Sequence, residues 1–557
     1  MKVVILGGYG VFGAKLARLL VRDGHAVVIG GRSADKARAF AAELGAQMLV
    51  VDRAGDLAPL WACAPDVVVD AAGPFHAYGA APYRLAKEAI ARSVHYLDLC
   101  DDPEFCIGVS ALDAAAKTAG VFVLPGLSSV PAISSAAVAA LVADALEVDT
   151  ISTAILPGNR APRGRSVVAS ILNQTGIPTP MPADGVATTA RGWSQPAMFD
   201  LGQGIKRRGW MIGVPDHQLF ARAFAARTVL FRAGLELPVM NWSLAALSWL
   251  RGKRRFAVPA WFISLLLVAA GWLKPFGTDE GGMSVAVTGR YAQGWQRKTW
   301  RLIAKAGEGP FVPAVAARAL LRDPAAVAPG ARPAVSVVSL EAVEGAMSDL
   351  AVSTDVKVEV VTPIFVQVLG DSFVELPATL QQTHEVYGPR RWAGRTKVTR
   401  GASLWSRILA DLIGFPKASD DIAVTVTMTP QNGGELWERR FDGKPFRSFL
   451  RPKQGEMTER FGPLTFSLGL HVRDGQLHFP VKSGRLGPLP LPRVLLPQSV
   501  AREYEADGRF HFDVALLAPF TGASMVHYQG WLMREASSLG DGDEQIIERP
   551  KATAIVQ

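Results

Sequence analysis

Met1-Lys-Val-Val-Ile-Leu-Gly-Gly-Tyr-Gly-Val-Phe-Gly13 decides how the chain begins to fold. The apolar run Val3 to Leu6 breaks into Gly7, Gly8, Gly10 and Gly13, and an amphipathic segment follows from Ala14 to Arg22. Strand, tight glycine turn and helix, in that order, open a dinucleotide-binding βαβ unit. Gly8 and Gly10 lack a Cβ, which lets the backbone turn tightly and come close to a diphosphate. Gly13 lets the helix lie against the first strand, and the amides of the helix N-terminus face the phosphate charge. Gly7, Gly8, Tyr9, Gly10, Val11, Phe12 and Gly13 are therefore candidate cofactor-binding residues. A glycine-rich turn in some other α/β protein has the same pattern; the legible strand and helix on either side favour the nucleotide.

The choice of dinucleotide falls about twenty residues later. The second strand, His25 to Gly30, ends in Gly31-Arg32-Ser33, with no acidic residue to take the adenosine ribose hydroxyls as NAD requires. Arg32 suits a 2′-phosphate, which a guanidinium meets with paired hydrogen bonds. Ser33 doubles as a helix N-cap and a phosphate donor. NADP(H) is the expected cofactor, against the plainer reading of Arg32 as a solvated surface charge.

Further strands are expected at Gln47–Val51, ending in Asp52 for the adenine amino group, and at Asp66–Asp70, opening into Ala72, Gly73 and Pro74. His95–Leu99 and Val121–Leu124 follow, the last leading to Pro125-Gly-Leu-Ser128. Short β-branched runs between alanine-rich helices specify a parallel sheet covered on both faces. Ligands in such sheets lie beyond the carboxyl ends of the strands. Tyr96, Asp98 and His76 are accordingly the candidate catalytic proton donors, and Ala72, Gly73, Pro74 and Ser128 further cofactor contacts. Tyr96 and Asp98 share a strand face, so one of them has a structural alternative. Tyr83-Arg-Leu-Ala-Lys87 lies one strand too early to be the Tyr-x-x-x-Lys pair of short-chain dehydrogenases.

The ordered set Gly7–Gly13, Ala72–Phe75, Tyr96–Leu99 and Pro125–Pro131 resembles the saccharopine-dehydrogenase-like oxidoreductases. The likeness continues through Phe231–Pro238, Trp300–Ala304 and Gly307–Pro313, and residues from about 375 to 535 resemble a domain of unknown function often appended to this family. The resemblance implies an NADP-dependent oxidoreductase. The family includes amino-acid-forming dehydrogenases and lipid-linked reductases, and the short lipid-linked type with a hydrophobic insert is the closer likeness.

The net charge of +9 is unevenly spread. Residues 1–150 carry 12 Lys+Arg against 16 Asp+Glu, whereas 200–305 carry 16 against 5. The basic excess surrounds Phe256 to Leu273, eighteen residues without a charge, with Arg251, Lys253, Arg254 and Arg255 before it and Lys274 after. Trp261 and Trp272 stand towards its ends, as interfacial aromatics do. A span of about 27 Å falls short of a roughly 30 Å hydrocarbon core. It would also separate segments that must pack together. The preferred reading is a helix or hairpin dipping into one leaflet with the cations on anionic headgroups; a buried core helix and a true span are the alternatives. The expected partners are thus a small lipophilic substrate and an anionic membrane surface along 251–274, with no nucleic acid; a homo-oligomer stays open.

The fold class expected is α/β: a Rossmann-like doubly wound parallel sheet over 1–135, an α+β substrate domain over 136–360 carrying the apolar insert 256–273, and a mainly antiparallel β domain over 375–535. The tail 536–557 is expected to be mobile. Arg160, Arg163 and Arg165 are read as solvated loop arginines ahead of anion ligands. In the C-terminal third, strand-like runs separated by Asn432-Gly-Gly434, Asp442-Gly443, Asp474-Gly475 and Asp507-Gly508 predict a strongly curved or closed sheet. Its many aromatics are either core or the lining of a cavity for a hydrophobic ligand. No His, Cys or carboxylate set has metal-ligand spacing, so no metal is expected. Three cysteines without a paired framework point to a reducing compartment. With a strand expected from residue 2 no signal peptide is foreseen, and the expected location is cytoplasmic, peripheral on the inner face of the membrane. The activity expected is NADP(H)-dependent oxidoreduction, as a reductase of a lipophilic substrate. A soluble amino-acid-like substrate, or a non-catalytic NADP-sensing lipid binder, is the alternative.

Overall fold

The computed structural model describes residues 1–535 except 163, 255, 257, 414 and 520. Arg163, Arg255 and the tail 536–557, all singled out in the sequence, lie outside the described residues.

Strand β1 (Lys2–Leu6) passes through the glycine turn into helix α1 (Val11–Arg22), then β2 (Ala26–Gly31), α2 (Ala34–Leu44), β3 (Gln47–Val50), β4 (Val67–Asp70), β5 (His95–Asp98) and β6 (Phe122–Leu124). All six strands are parallel, in the order β3-β2-β1-β4-β5-β6. Successive residues of a strand point to opposite faces, and both faces are covered. Val3 and Ile5 pack against Leu16, Leu19 and Leu20 of α1, while Val4 and Leu6 join Leu85, Ala89 and Ile90 on the other side. This is why the strands are apolar at nearly every position rather than alternating.

A seventh parallel strand, Gly330–Ala331, completes the sheet beside β6. It comes from far beyond residue 135, and two residues leave no periodic trace in the sequence. The helix Val312–Arg322 returns with it and lies on α1. Arg318, only 2% exposed, donates to both oxygens of Asp23 at 2.8 Å and to Asp349. Burial pushes Asp23 up, but the hydrogen bonds from Arg318 and Arg322 outweigh it and hold the carboxyl below its usual range. The first two expected domains are therefore interleaved and share one core.

The second sheet orders Ala197–Asp200, Lys206–Met211, Thr228–Ala233, Glu147–Leu156, Gly281–Tyr291, Gly294–Ala304 and Val352–Val360. Only Thr228–Ala233 runs parallel to its neighbour Glu147–Leu156. Two helices, Pro238–Lys253 and Ala260–Leu273, precede the central hairpin. The apolar insert is thus a helix of 14 residues. No helix among the described residues is long and apolar enough to cross a membrane.

The last domain is an antiparallel sheet begun by Arg390–Arg400 and closed through a bent hairpin. Leu464–Leu468 pairs with Glu456–Phe461 on one side and Val481–Leu486 on the other. Its continuation, His471–Arg473 with Gln476–His478, instead pairs with Gln498–Ala506. Since Gln498–Ala506 leads through Arg509–Leu517 and Ser524–Arg534 back to Arg390–Arg400, the ladder returns on itself as a barrel. The turn pairs Asn432-Gly433, Asp442-Gly443, Asp474-Gly475 and Asp507-Gly508 all have positive φ, as two-residue hairpin loops require. Arg390 ties the barrel to the second sheet through Asp149 at 2.7 Å, and Arg534 ties it through Asp184 at 2.6 Å to the turn of a separate hairpin, Pro178–Ala183 with Val186–Arg191.

Candidate functional site

The glycine turn is built for close approach. Gly7 has φ +72°, and a Cβ there would stand 2.7 Å from the Ala71 carbonyl oxygen. A Cβ on Gly13 would overlap the Gly7 carbonyl. Helix α1 has no side-chain cap at Gly10, so the amides of Val11, Phe12 and Gly13 keep their donors for a ligand. Tyr9 lies across Gly31, where any side chain would overlap its ring, and its hydroxyl oxygen accepts from Ser33 N at 2.9 Å. Ser33 caps α2 by accepting from Lys36 N. Arg32 is exposed at the tip of β2, and no carboxylate among the described residues pairs with it. Asp52 is exposed past β3, accepting from Ala54 N at 3.0 Å.

The loops after β4, β5 and β6 meet where expected. Ala72, Gly73 and Pro74 lead from β4 to His76, and Ser128 begins the turn whose carbonyl accepts from Ile133 N. Tyr96 and Asp98 are brought together, but beneath the surface. The Tyr96 hydroxyl donates to Asp98 Oδ2 at 3.0 Å, while Asp98 Oδ1 accepts from Gly126 N at 2.8 Å and Cys100 N at 2.9 Å. Burial raises the Asp98 carboxyl to about 7 against those amide bonds, and the neighbouring Asp70 adds to the rise. Burial likewise pushes the Tyr96 phenol up, so it stays a donor. Neither residue lines the adjacent cavity.

His76 does. An open-sided cavity of about 570 Å³ lies between the strand ends and the helix Arg165–Gln174, lined by His76, Asp101, Asp102, Ser170, Asn173 and Gln174 among others. Asn173 Nδ2 stands 3.3 Å from His76 Nε2 and donates to it when that nitrogen carries no proton. Sequence reasoning missed Asn173 and Gln174, because nothing local marks a helix 100 residues away as the opposite wall. It also missed Asp70, fully buried at the end of β4, which binds Arg53 Nε at 2.6 Å and the Tyr78 hydroxyl at 3.1 Å. A carboxylate closing the apolar run Val67-Val-Val was the available signal.

Residues 3–124 match the family model described as the saccharopine dehydrogenase NADP binding domain. The N-terminal sheet is thus similar to that domain. Residues 376–532 match a domain of unknown function (DUF4166), which coincides with the barrel. Solved structures similar to the chain include apo saccharopine dehydrogenase (L-Glu forming) from Saccharomyces cerevisiae, at 12% identity and TM-score 0.45, covering 64% of this chain and 99% of that one. An imine reductase from Bacillus cereus is similar at 18% identity and TM-score 0.16, over 22% of this chain and 38% of that one. A yeast methylglyoxal/isovaleraldehyde reductase complexed with NADPH has 19% identity and TM-score 0.16, over 18% and 37%. No curated protein matches the chain.

The exposed side of the apolar insert adjoins the cavity at the strand ends through one helix. Arg165–Gln174 lines the cavity and packs against Ala260–Leu273, with Arg165 Nη1 donating to Ser264 Oγ at 2.9 Å. Trp261 is 67% exposed and Trp272 78%, and Leu265, Val268 and Phe276 are exposed beside them. Lys253, Arg254 and Lys274 are exposed at the flanks. Arg251, expected on headgroups, is instead buried, donating to the carbonyls of Leu172 at 2.7 Å and Thr175 at 2.6 Å. Its side chain points into the protein, so its charge serves orphan carbonyls rather than a surface.

Proposed function

We propose that the chain is an NADP(H)-dependent oxidoreductase, acting as a reductase on a lipophilic substrate held at the inner face of a membrane. The observation that carries this reading is the shared helix Arg165–Gln174, with the polar cavity on one side and the exposed apolar helix on the other. An amphiphile moving along it reaches the cavity without crossing bulk water. Exposed tryptophans and leucines flanked by Lys253, Arg254 and Lys274 suit one leaflet of an anionic surface.

The cradle that Cβ atoms at Gly7 and Gly13 would fill suits a diphosphate, and the uncapped amides of α1 suit its charge. Arg32 holds the 2′-phosphate that distinguishes NADPH from NADH. When bound, the nicotinamide nucleotide supplies the hydride. His76, in the cavity wall, gives a proton to the reduced substrate. Tyr96, Asp98, Asp70 and Arg53 position the loops that carry these groups, through the buried bonds described above. A second reading has a specific basis: Asp101 and Asp102 in the cavity wall suit the ammonium of an amino-acid-like substrate.

The test is NADPH oxidation by the full chain in the presence of a membrane lipid extract or of soluble oxo acids with amines. Lipid-dependent oxidation is expected, with His76→Gln losing about 10²-fold or more while NADPH binding persists. Arg32→Ala should weaken NADPH about tenfold or more and leave NADH unchanged; equal losses for both would overturn the assignment. Turnover with soluble substrates alone would favour the second reading.

A further inference from the structure

The barrel encloses a second cavity that the proposed reaction does not use. It holds about 130 Å³ of open volume, and the wider space that includes solvent at its mouth is about 990 Å³. An aromatic run lines it, in which Phe415, Phe446, Phe461 and Phe466 follow one another at centroid spacings of 5.4, 5.3 and 6.4 Å. Close packing normally fills such a space. Here Phe365, Trp437 and His384 stack to fill one end of the barrel, and the remainder stays open.

Among these apolar walls lies a group of hydrogen-bonded polar side chains. Arg439 donates to Ser448 Oγ at 2.8 Å and to Glu459 at 3.4 Å, and His384 Nε2 is 2.7 Å from Glu503. Tyr528 joins them, with Arg439, Glu459 and Glu503 around its ring. Its hydroxyl has no hydrogen-bond partner among the described residues, unlike those of Tyr78, Tyr83 and Tyr96. Burial pushes that phenol up to about 12, so it keeps its proton and offers a donor. Since the lining arginines Arg439 and Arg502 already have the carboxylates of Glu459 and Asp513, a further anion gains little there, whereas an uncharged acceptor can take the Tyr528 proton.

We propose that the barrel interior binds one single-chain amphiphile with an uncharged oxygen-bearing head, a monoacylglycerol or fatty alcohol, its head on Tyr528 and its chain along Phe446, Phe461 and Phe466. Phe415 and Pro497 belong to the cavity lining. The helix Leu404–Ile413 before Phe415 and the segment before Pro497 expose Leu404, Ile408, Leu489 and Val494, an apolar approach for a lipid chain. This site is independent of the nucleotide and of the apolar helix Ala260–Leu273.

The probe is tritiated monoolein, titrated against the full chain below its aggregation concentration. Saturable uptake near one per chain is expected, retained in a Trp261→Ser/Trp272→Ser variant. Ala501→Trp, which fills the lumen, should abolish it, and Tyr528→Phe should weaken it roughly two- to tenfold without shifting the melting temperature. If Ala501→Trp does not fold, the Tyr528→Phe comparison decides alone. No saturable uptake, uptake unchanged in Tyr528→Phe, or oleate binding tighter than monoolein would overturn the proposal.

Discussion

At the glycine turn the proposed ligand surface is made of backbone, whereas in the barrel the proposed one is made of side chains. Amides of α1 and carbonyl-tight glycines define the first, so a single added Cβ destroys it. Inward residues alternating along each strand define the second, as at Glu435, Trp437, Arg439 and Phe441, so its shape changes by degrees with side-chain volume. The two also join the middle domain differently. The parallel sheet borrows a strand and shares a core with it, while the barrel is tied to it by ion pairs at Asp149 and Asp184.

The strongest way to break this comparison is Gly13→Val. Saturable NADPH binding should vanish while monoolein uptake by the barrel persists; titrating both ligands checks it, and retained NADPH binding would mean that backbone approach is not what defines the first site. Arg318→Ala comes next. Removing a buried guanidinium from Asp23 and Asp349 should cost about 3–5 kcal/mol, read by denaturant unfolding of the unit formed by the first two domains, with a smaller effect expected from Arg534→Ala, whose side chain is partly exposed. The smallest effect concerns Glu435, raised to about 8 by burial against the Trp437 indole bond. A carboxyl with a higher folded than unfolded value binds more protons when folded, favouring the native state at low pH, and this advantage fades as pH rises through the folded value. Barrel stability should therefore decline between about pH 4.5 and 8, and Glu435→Gln should flatten that slope in melts across the window.

Much of this was legible because it is local. The strands flanking the glycine turn, the Ser33 cap and the Asx-Gly hairpin loops all follow from neighbours a few residues apart. The apolar helix was legible as well, though four residues shorter at its start than its uncharged run, since Pro259 takes the N-cap. Arg251 was misread, because its helix face is decided by the carbonyls of a helix some 75 residues earlier. Tyr96 and Asp98 were correctly put at the strand tip, yet the Gly126 amide that occupies Asp98 comes from a different loop.

Chain order and composition were enough to determine the parallel sheet, its glycine turn and the antiparallel character of the last third, since periodicity and turn chemistry act over a few residues. Only the tertiary structure decided that Gly330–Ala331 completes the first sheet, that His76 faces Asn173, and that a bent hairpin closes the barrel around open space. Those outcomes depend on which distant surfaces exclude water together, a property of packed elements that no single segment carries.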